Sequence, residues 1–254
     1  MPERRVKGLM SYRPGERADN PALLTLLAPD CLPSYLTGPR EVSPTSEMQY
    51  EVKISIDNEG LKKIYDSYKS VTFVKNLSLT TGLLFNLPIA WLSFQPLQQN
   101  QVVWPADGYH VYATSTILRY GSVIGMAALT EPEARTGQLY IFEQGHFTVS
   151  EGGPPGAYNI FNQMETGSFS FGLAQSASIN EVQVLAPLSA LPLLYNEEVS
   201  LTPEENILLF LSSYASNGTV IPQVSANALS IILSSSQPTV NVGFDNGTNS
   251  FYLI

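Results

Sequence analysis

"NQVVWPADGYHVYATST", residues 100–116, alternates apolar and polar positions on both sides of the turn PADG, and its reading decides the fold. The alternation has the period of two expected of β-strands. After the turn, Tyr109, Val111 and Ala113 fall on one face, and His110, Tyr112 and Thr114 on the other. Trp104 stands just before the turn. One ribbon therefore carries several amphipathic rings, which can fill a core, stack on a sugar or line a pocket for an apolar molecule.

Outward from this ribbon the same pattern recurs. In YEVKISID (50–57), Tyr50, Val52, Ile54 and Ile56 alternate with Glu51, Lys53 and Ser55. In GSFSFGLAQS (167–176), Phe169, Phe171 and Leu173 share one face and Ser168, Ser170 and Gly172 the other, which predicts a strand buried on one side only. Further strands are expected at IAWLSFQP (89–96), SVIGMAAL (122–129), QLYIFEQ (138–144), HFTVS (146–150), EVQVLAP (181–187), TVIPQVS (219–225), LSIILSSS (229–236), TVNVGFDN (239–246) and SFYLI (250–254). In NEGLKKIYDSYKSVTFVKN (58–76), Leu61, Ile64 and Tyr65 have helical spacing, so a short helix ends before Ser70 and a strand follows. Thr202, Pro203, Glu204 and Glu205 read as a helix start, although the Leu-rich run behind them fits a strand equally well. DNGT (245–248) signals a hairpin with a type I′ turn. About a dozen short strands without a βαβ rhythm predict an all-β fold, an antiparallel β-sandwich with short helical inserts.

Two segments are expected: a Pro- and charge-bearing leader over residues 1–46, and one sandwich domain over residues 47–254. Residues 1 to about 40 are expected to contribute little to the body core; collapse of the remainder on their removal would instead mark ALLTLLAP (22–29) as a cover over apolar surface, within one subunit or across a homodimer.

Composition narrows the function. Of the 254 residues only 14% are charged and the net charge is −9, with no Lys/Arg cluster to neutralise phosphates. This argues against nucleic acid and against an anionic membrane surface. A single cysteine, Cys31, rules out an intrachain disulfide framework and fits a reducing, cytoplasmic setting. Neither a signal peptide nor a run of membrane-spanning length is visible. Two histidines, His110 and His146, cannot build a three-histidine zinc site, and GxSxG and P-loop motifs are absent. GGPPG (152–156) reads as a surface loop. Glu204 and Glu205 read as first-turn helix residues, Asp107 and Asp245 as turn formers. No metal and no cofactor is expected.

The ribbon remains the richest stretch. His110 and Tyr112, at i and i+2, place an imidazole and a phenol side by side, where they can hydrogen-bond an oxygen of a ligand; they are the catalytic candidates. Trp104, Tyr109, Arg119, His146, Asn159 and Gln175 are the candidate substrate contacts. The partner they suit is a small, mostly apolar molecule.

WLSFQPLQQNQVVWPADGYHVYATST (91–116), together with YEVKISIDNEGLKKIYDSYKSVTFVKN (50–76), resembles a group of fungal cytosolic β-sandwich proteins related in shape to fungal lectins. Some of that group are stand-alone pericyclases of tropolone–sesquiterpenoid biosynthesis. The resemblance covers residue 47 to the C terminus. It implies a cofactor-independent hetero-Diels–Alderase that joins an o-quinone methide to a humulene-type olefin. Such chemistry needs a shaped apolar pocket and a hydrogen bond to a developing oxyanion. Two other readings stand beside it: a carbohydrate-binding, lectin-like protein without catalytic activity, with Trp104 or Tyr109 stacked on a sugar, and a self-associating structural protein with exposed strand edges.

Overall fold

The computed structural model describes residues 48–79, 87–213 and 216–254. The expected leader, with Cys31, lies outside the described residues. The first half of the body runs β1 (Gln49–Ser55), α1 (Asn58–Asp66), β2 (Ser70–Leu79), β3 (Ile89–Ala90), β4 (Leu92–Phe94), β5 (Gln99–Pro105), β6 (Tyr109–Thr114) and β7 (Ala128–Leu129). Then follow β8 (Gln138–Glu143), β9 (His146–Glu151), β10 (Tyr158–Asn162), β11 (Phe169–Ile179), β12 (Val182–Pro187) and β13 (Leu191–Leu193). The chain continues through β14 (Glu198–Ser212), β15 (Thr219–Val220), β16 (Leu229–Ile232), β17 (Thr239–Asp245) and β18 (Ser250–Leu253).

Among the described residues the fold is all-β and predominantly antiparallel, with two large sheets and one short helix. The first sheet has the order β18-β17-β1-β5-β11-β6-β7, with β12 and β13 also paired to β11. The second has the order β4-β2-β14-β10-β8-β9, with β16 added on β14. A two-stranded ribbon, β15-β3, stands apart. Two pairs, β1 with β17 and β8 with β10, are parallel.

One apolar cluster draws on both sheets. Val52, Ile54, Trp104, Val111, Phe171 and Leu173 come from the first, and Phe73, Ile160, Leu201, Ile207 and Leu209 from the second. Alternation accounts for most of these positions: in β6, Tyr109, Val111 and Ala113 share the core face as expected. The helix falls where its spacing predicts. Asp57 caps it by accepting the Gly60 N–H at 2.7 Å, and the Asn246 amide donates to both Asp57 oxygens at 2.9 and 3.0 Å. The cap thus fastens α1 to the β17–β18 turn.

Several expectations change. β11 is buried on both faces, not one, because the segment before β13 crosses its outer side, where Leu188 N–H donates to the Leu173 carbonyl. A second cluster, Ile89, Tyr112, Ile124, Ala174, Ala190 and Val220, seals that side. SVIGMAAL is mostly loop. Ile124 and Gly121 spend their N–H groups on the carbonyls of Gly218 and Val220, so only Ala128–Leu129 joins the sheet. IAWLSFQP is broken at Trp91 into β3 and β4, and TVIPQVS pairs only at Thr219–Val220. DNGT does make a hairpin, but the pairing of Asp245 with Ser250 leaves a four-residue loop. Asn249, at φ 51°, takes the left-handed position there in place of Asn246-Gly247.

Gly172 tests this packing. A Cβ there would overlap the Ser189 carbonyl, which is backbone and cannot swing aside. Gly172→Ala should cost about 1–3 kcal/mol in urea unfolding. Gly125→Ala, whose Cβ would meet only Thr116 Oγ1 at 4.0 Å, should stay within about 0.5 kcal/mol of the parent. Equal midpoints for the two variants would contradict the doubly covered β11.

Candidate functional site

The strongest concentration of polar chemistry lies between the sheets. On β2, Val71, Phe73 and Lys75 share the inward face, so the lysine points where the alternation demands an apolar residue. Its side chain is fully buried. The ammonium donates to Tyr109 Oη at 2.5 Å, Gln175 Oε1 at 3.1 Å and Glu205 Oε1 at 3.1 Å. Glu205 Oε2 also stands 3.0 Å away, but only Oε1 is aligned for a hydrogen bond, so the second contact is electrostatic. Tyr109 passes the network on by donating to Glu205 Oε1 at 3.1 Å. Gln175 turns its amide N–H groups to the carbonyls of Pro105 and Asp107 at 2.8 and 3.0 Å, which holds the turn ahead of β6.

Both tryptophans enclose this group. Lys75 Nζ lies 5.6 and 6.0 Å from the ring centres of Trp91 and Trp104, and the two indoles meet edge to face at 5.5 Å. The ammonium's approach to Tyr109 is through the hydroxyl, not over the ring. Trp91 Nε1 donates to the Gln175 carbonyl at 3.3 Å, whereas Trp104 Nε1 has no hydrogen-bond partner among the described residues.

Glu205 meets Lys75 from within a bulge. Pro203 pairs with Leu77 and Ile207 with Lys75, so three residues of β14 oppose a single residue of β2. The bulge keeps the inward phase that Glu205 shares with Leu201 and Ile207, and it lets a proline sit inside a long strand. Glu204 and Glu205 are therefore strand residues, not the first turn of a helix. Burial drives the Lys75 pKa down to about 8, with Glu205 holding it from falling further, and pushes the Tyr109 hydroxyl well up. All three ammonium protons have acceptors, so the cluster is a closed brace between the sheets.

Three sequence-predicted substrate contacts, Trp104, Tyr109 and Gln175, thus converge, but around an amine of the protein itself. Trp104 and Tyr109 are 1% and 2% exposed, so neither ring is presented for stacking on a sugar. Tyr112 is sealed in the second cluster, and its hydroxyl donates to the Ser189 carbonyl at 2.5 Å. Asn159 is buried and spent on the carbonyls of Gln138, Pro154 and Ala157 and on the Ser200 hydroxyl. Arg119 lies exposed in the loop after β6.

His110 and His146 belong to a second place. A cleft of about 620 Å³ opens where the edge strands of the two sheets, β7 and β9, come together. Leu129, Tyr140, Phe147 and Val149 supply apolar wall; Gln138, Arg135, Glu133 and His146 supply polar groups. His146 lines the cleft directly. His110 stands one step behind it: Nδ1 contacts the Thr130 carbonyl at 2.8 Å, which fixes a proton on Nδ1, while Thr130 Oγ1 accepts from Val111 N–H. The imidazole thus steadies a residue of the cleft lining.

Sequence reasoning missed Lys75 and Glu205. The signal was a lysine two residues after Phe73 and a glutamate two before Ile207, each in the apolar phase of a strand. Among the described residues no group of three or more His, Cys, Asp or Glu could hold a metal, and no helix is long and apolar enough to cross a membrane. Comparison with protein-family models, curated proteins and solved structures gives no match.

The brace predicts unequal costs. Glu205→Gln strands a buried ammonium and should destabilise by about 3–5 kcal/mol at neutral pH. Lys75→Met leaves Glu205, one-fifth exposed, able to rehydrate, and should cost less, about 1–2 kcal/mol. Lysine pKa values of about 8 folded and 10.5 unfolded mean that the unfolded chain binds more protons in between. Parent stability should therefore rise with pH above about 8. The rise holds until pH approaches 10, where unfolded tyrosines begin to ionise while burial keeps Tyr109, Tyr112 and Tyr158 protonated. Urea unfolding from pH 7 to 9.5 checks this. A flat profile in the parent, or the same rise in Lys75→Met, would contradict it.

Proposed function

We propose that this chain is a small-molecule-binding β-sandwich protein and that its reactants occupy the cleft between β7 and β9. The cleft carries the reading: its volume falls within the roughly 300–1,000 Å³ of ligand sites, and it sets apolar walls against a few hydrogen-bonding groups. The sandwich assignment is supported by one core fed from both sheets and by the brace that ties β2 and β14 to β6 and β11.

A cofactor-independent cycloaddition is the activity that suits this cleft best. Such a reaction asks the protein to hold two apolar partners in near-attack geometry and to stabilise charge growing on one oxygen. His146 and Gln138 are the donors placed to do so. Leu129, Phe147 and Val149 would pack the olefin, and His110 would act as a positioning residue through Thr130. Tyr112 takes no direct part in this scheme.

The test is a cofactor-free assay with an o-quinone methide precursor and a humulene-type olefin, read by chiral chromatography against the spontaneous background. Wild type should raise the yield of one stereoisomer, and His146→Ala should slow that by about tenfold to a hundredfold. Val149→Trp, at a position 55% exposed, should fill the cleft and abolish the effect with the fold intact. Tyr112→Phe should keep the rate and lose about 1 kcal/mol of stability. No acceleration by wild type would remove the reaction. Full activity in Val149→Trp would remove the site.

A further inference from the structure

A second recess lies at the opposite kind of place, beside the helix. A cavity of about 430 Å³ is lined by Lys63, Ile64, Asp66, Ser67, Lys69, Leu211, Phe244 and Asn249. Another of about 250 Å³ shares Lys69, Leu211 and Asn249 with it and continues past Phe251 and Asn227. Lys69 stands where the two meet. Its neighbours on the helix are already engaged: Lys63 pairs with Glu59 at 2.8 Å and donates to the Asn246 carbonyl at 2.9 Å, and Lys62 holds Asp66 at 2.5 Å. Lys69 forms no ion pair with any described residue. Asp66 also lines the recess but is held by Lys62, so in a chain of net charge −9 the half-buried Lys69, without an ion pair among the described residues, marks a place for an anion.

The remaining lining narrows the ligand. Leu211 and Phe251 give an apolar floor, and the side-chain amides of Asn227 and Asn249 offer neutral donors and acceptors on the rim. An apolar floor with amides and hydroxyls around it fits the face and edge of a pyranose ring. The charge count selects the acid. One uncommitted ammonium matches one carboxylate, whereas a phosphate dianion calls for several cations or a nest of backbone N–H groups. We propose that the recess formed by α1, the end of β14 and the β17–β18 turn binds a carboxylate-bearing pyranose. Lys69 meets the carboxylate, and Asn249 and Asn227 meet ring hydroxyls. This site is separate from the β7–β9 cleft and stands or falls independently of it.

Backbone-amide NMR titration of the full chain with glucuronate tests it. Saturable shifts are expected at Lys69, Leu211 and Asn249, with a dissociation constant of about 1 mM. Lys69→Met should weaken binding at least about tenfold, and Asn249→Gly, which suits the left-handed backbone at that position, severalfold. Lys53→Met, an equal change of charge on β1, should leave it within about twofold. Absence of saturable shifts would overturn the proposal, as would equal weakening by Lys53→Met and Lys69→Met. Glucose binding as tightly as glucuronate would overturn the role of the charge, and displacement by inorganic phosphate at equal concentration would overturn the sugar.

Discussion

A charged amine cannot sit between two β-sheets without partners, and the placement of Lys75 constrains much of what surrounds it. Taking an ammonium out of water costs several kcal/mol unless its protons are met. Here three elements meet them: Tyr109 from β6, Gln175 from β11 and Glu205 from β14. Each partner then has a second obligation. Glu205 sits in the bulge of β14, Gln175 holds the turn before β6, and Tyr109 must keep its hydroxyl proton to bridge amine and carboxylate. Replacing the lysine therefore disturbs both sheets at once.

That arrangement divides the aromatic residues by task. Trp91, Trp104 and Tyr109 surround the brace, and Tyr112 plugs the outer face of β6 and β11. None of them is free to hold a ligand. What remains open is the seam where the edge strands β7 and β9 meet, and there the rings are Tyr140 and Phe147 and the imidazole is His146. A braced interior beside an open seam is the arrangement that the proposed site would need to hold reactants in register.

Much of the architecture was legible from alternation and turn chemistry. The inward set Val52, Ile54, Val111 and Leu173 follows from a period of two, and the helix at Asn58–Asp66 follows from Leu61 and Ile64. The failures have physical causes. TPEEN carries the local marks of a helix start, but pairing with β2 and β10 overrides them and a bulge absorbs the proline. GSFSFGLAQS reads as half-buried because Ser170 and Gly172 are small and polar-compatible; their smallness is what lets the Ser189 backbone pack against the strand. His110 and Tyr112 share a strand face as read, yet a segment distant in sequence covers Tyr112, and no local pattern encodes that cover. Lys75 is hard to read as a core residue because lysine is almost never fully buried unless paired, although its phase in the strand points inward.

Lys75 as a buried, fully partnered ammonium is checked most directly by NMR observation of its side-chain nitrogen and ε-carbon. A titration midpoint of about 8, with ammonium protons that exchange slowly and show cross-relaxation to the indoles of Trp91 and Trp104, is the predicted result. A midpoint near the ordinary lysine value of about 10.4, with protons exchanging as rapidly as those of a surface lysine, would contradict it.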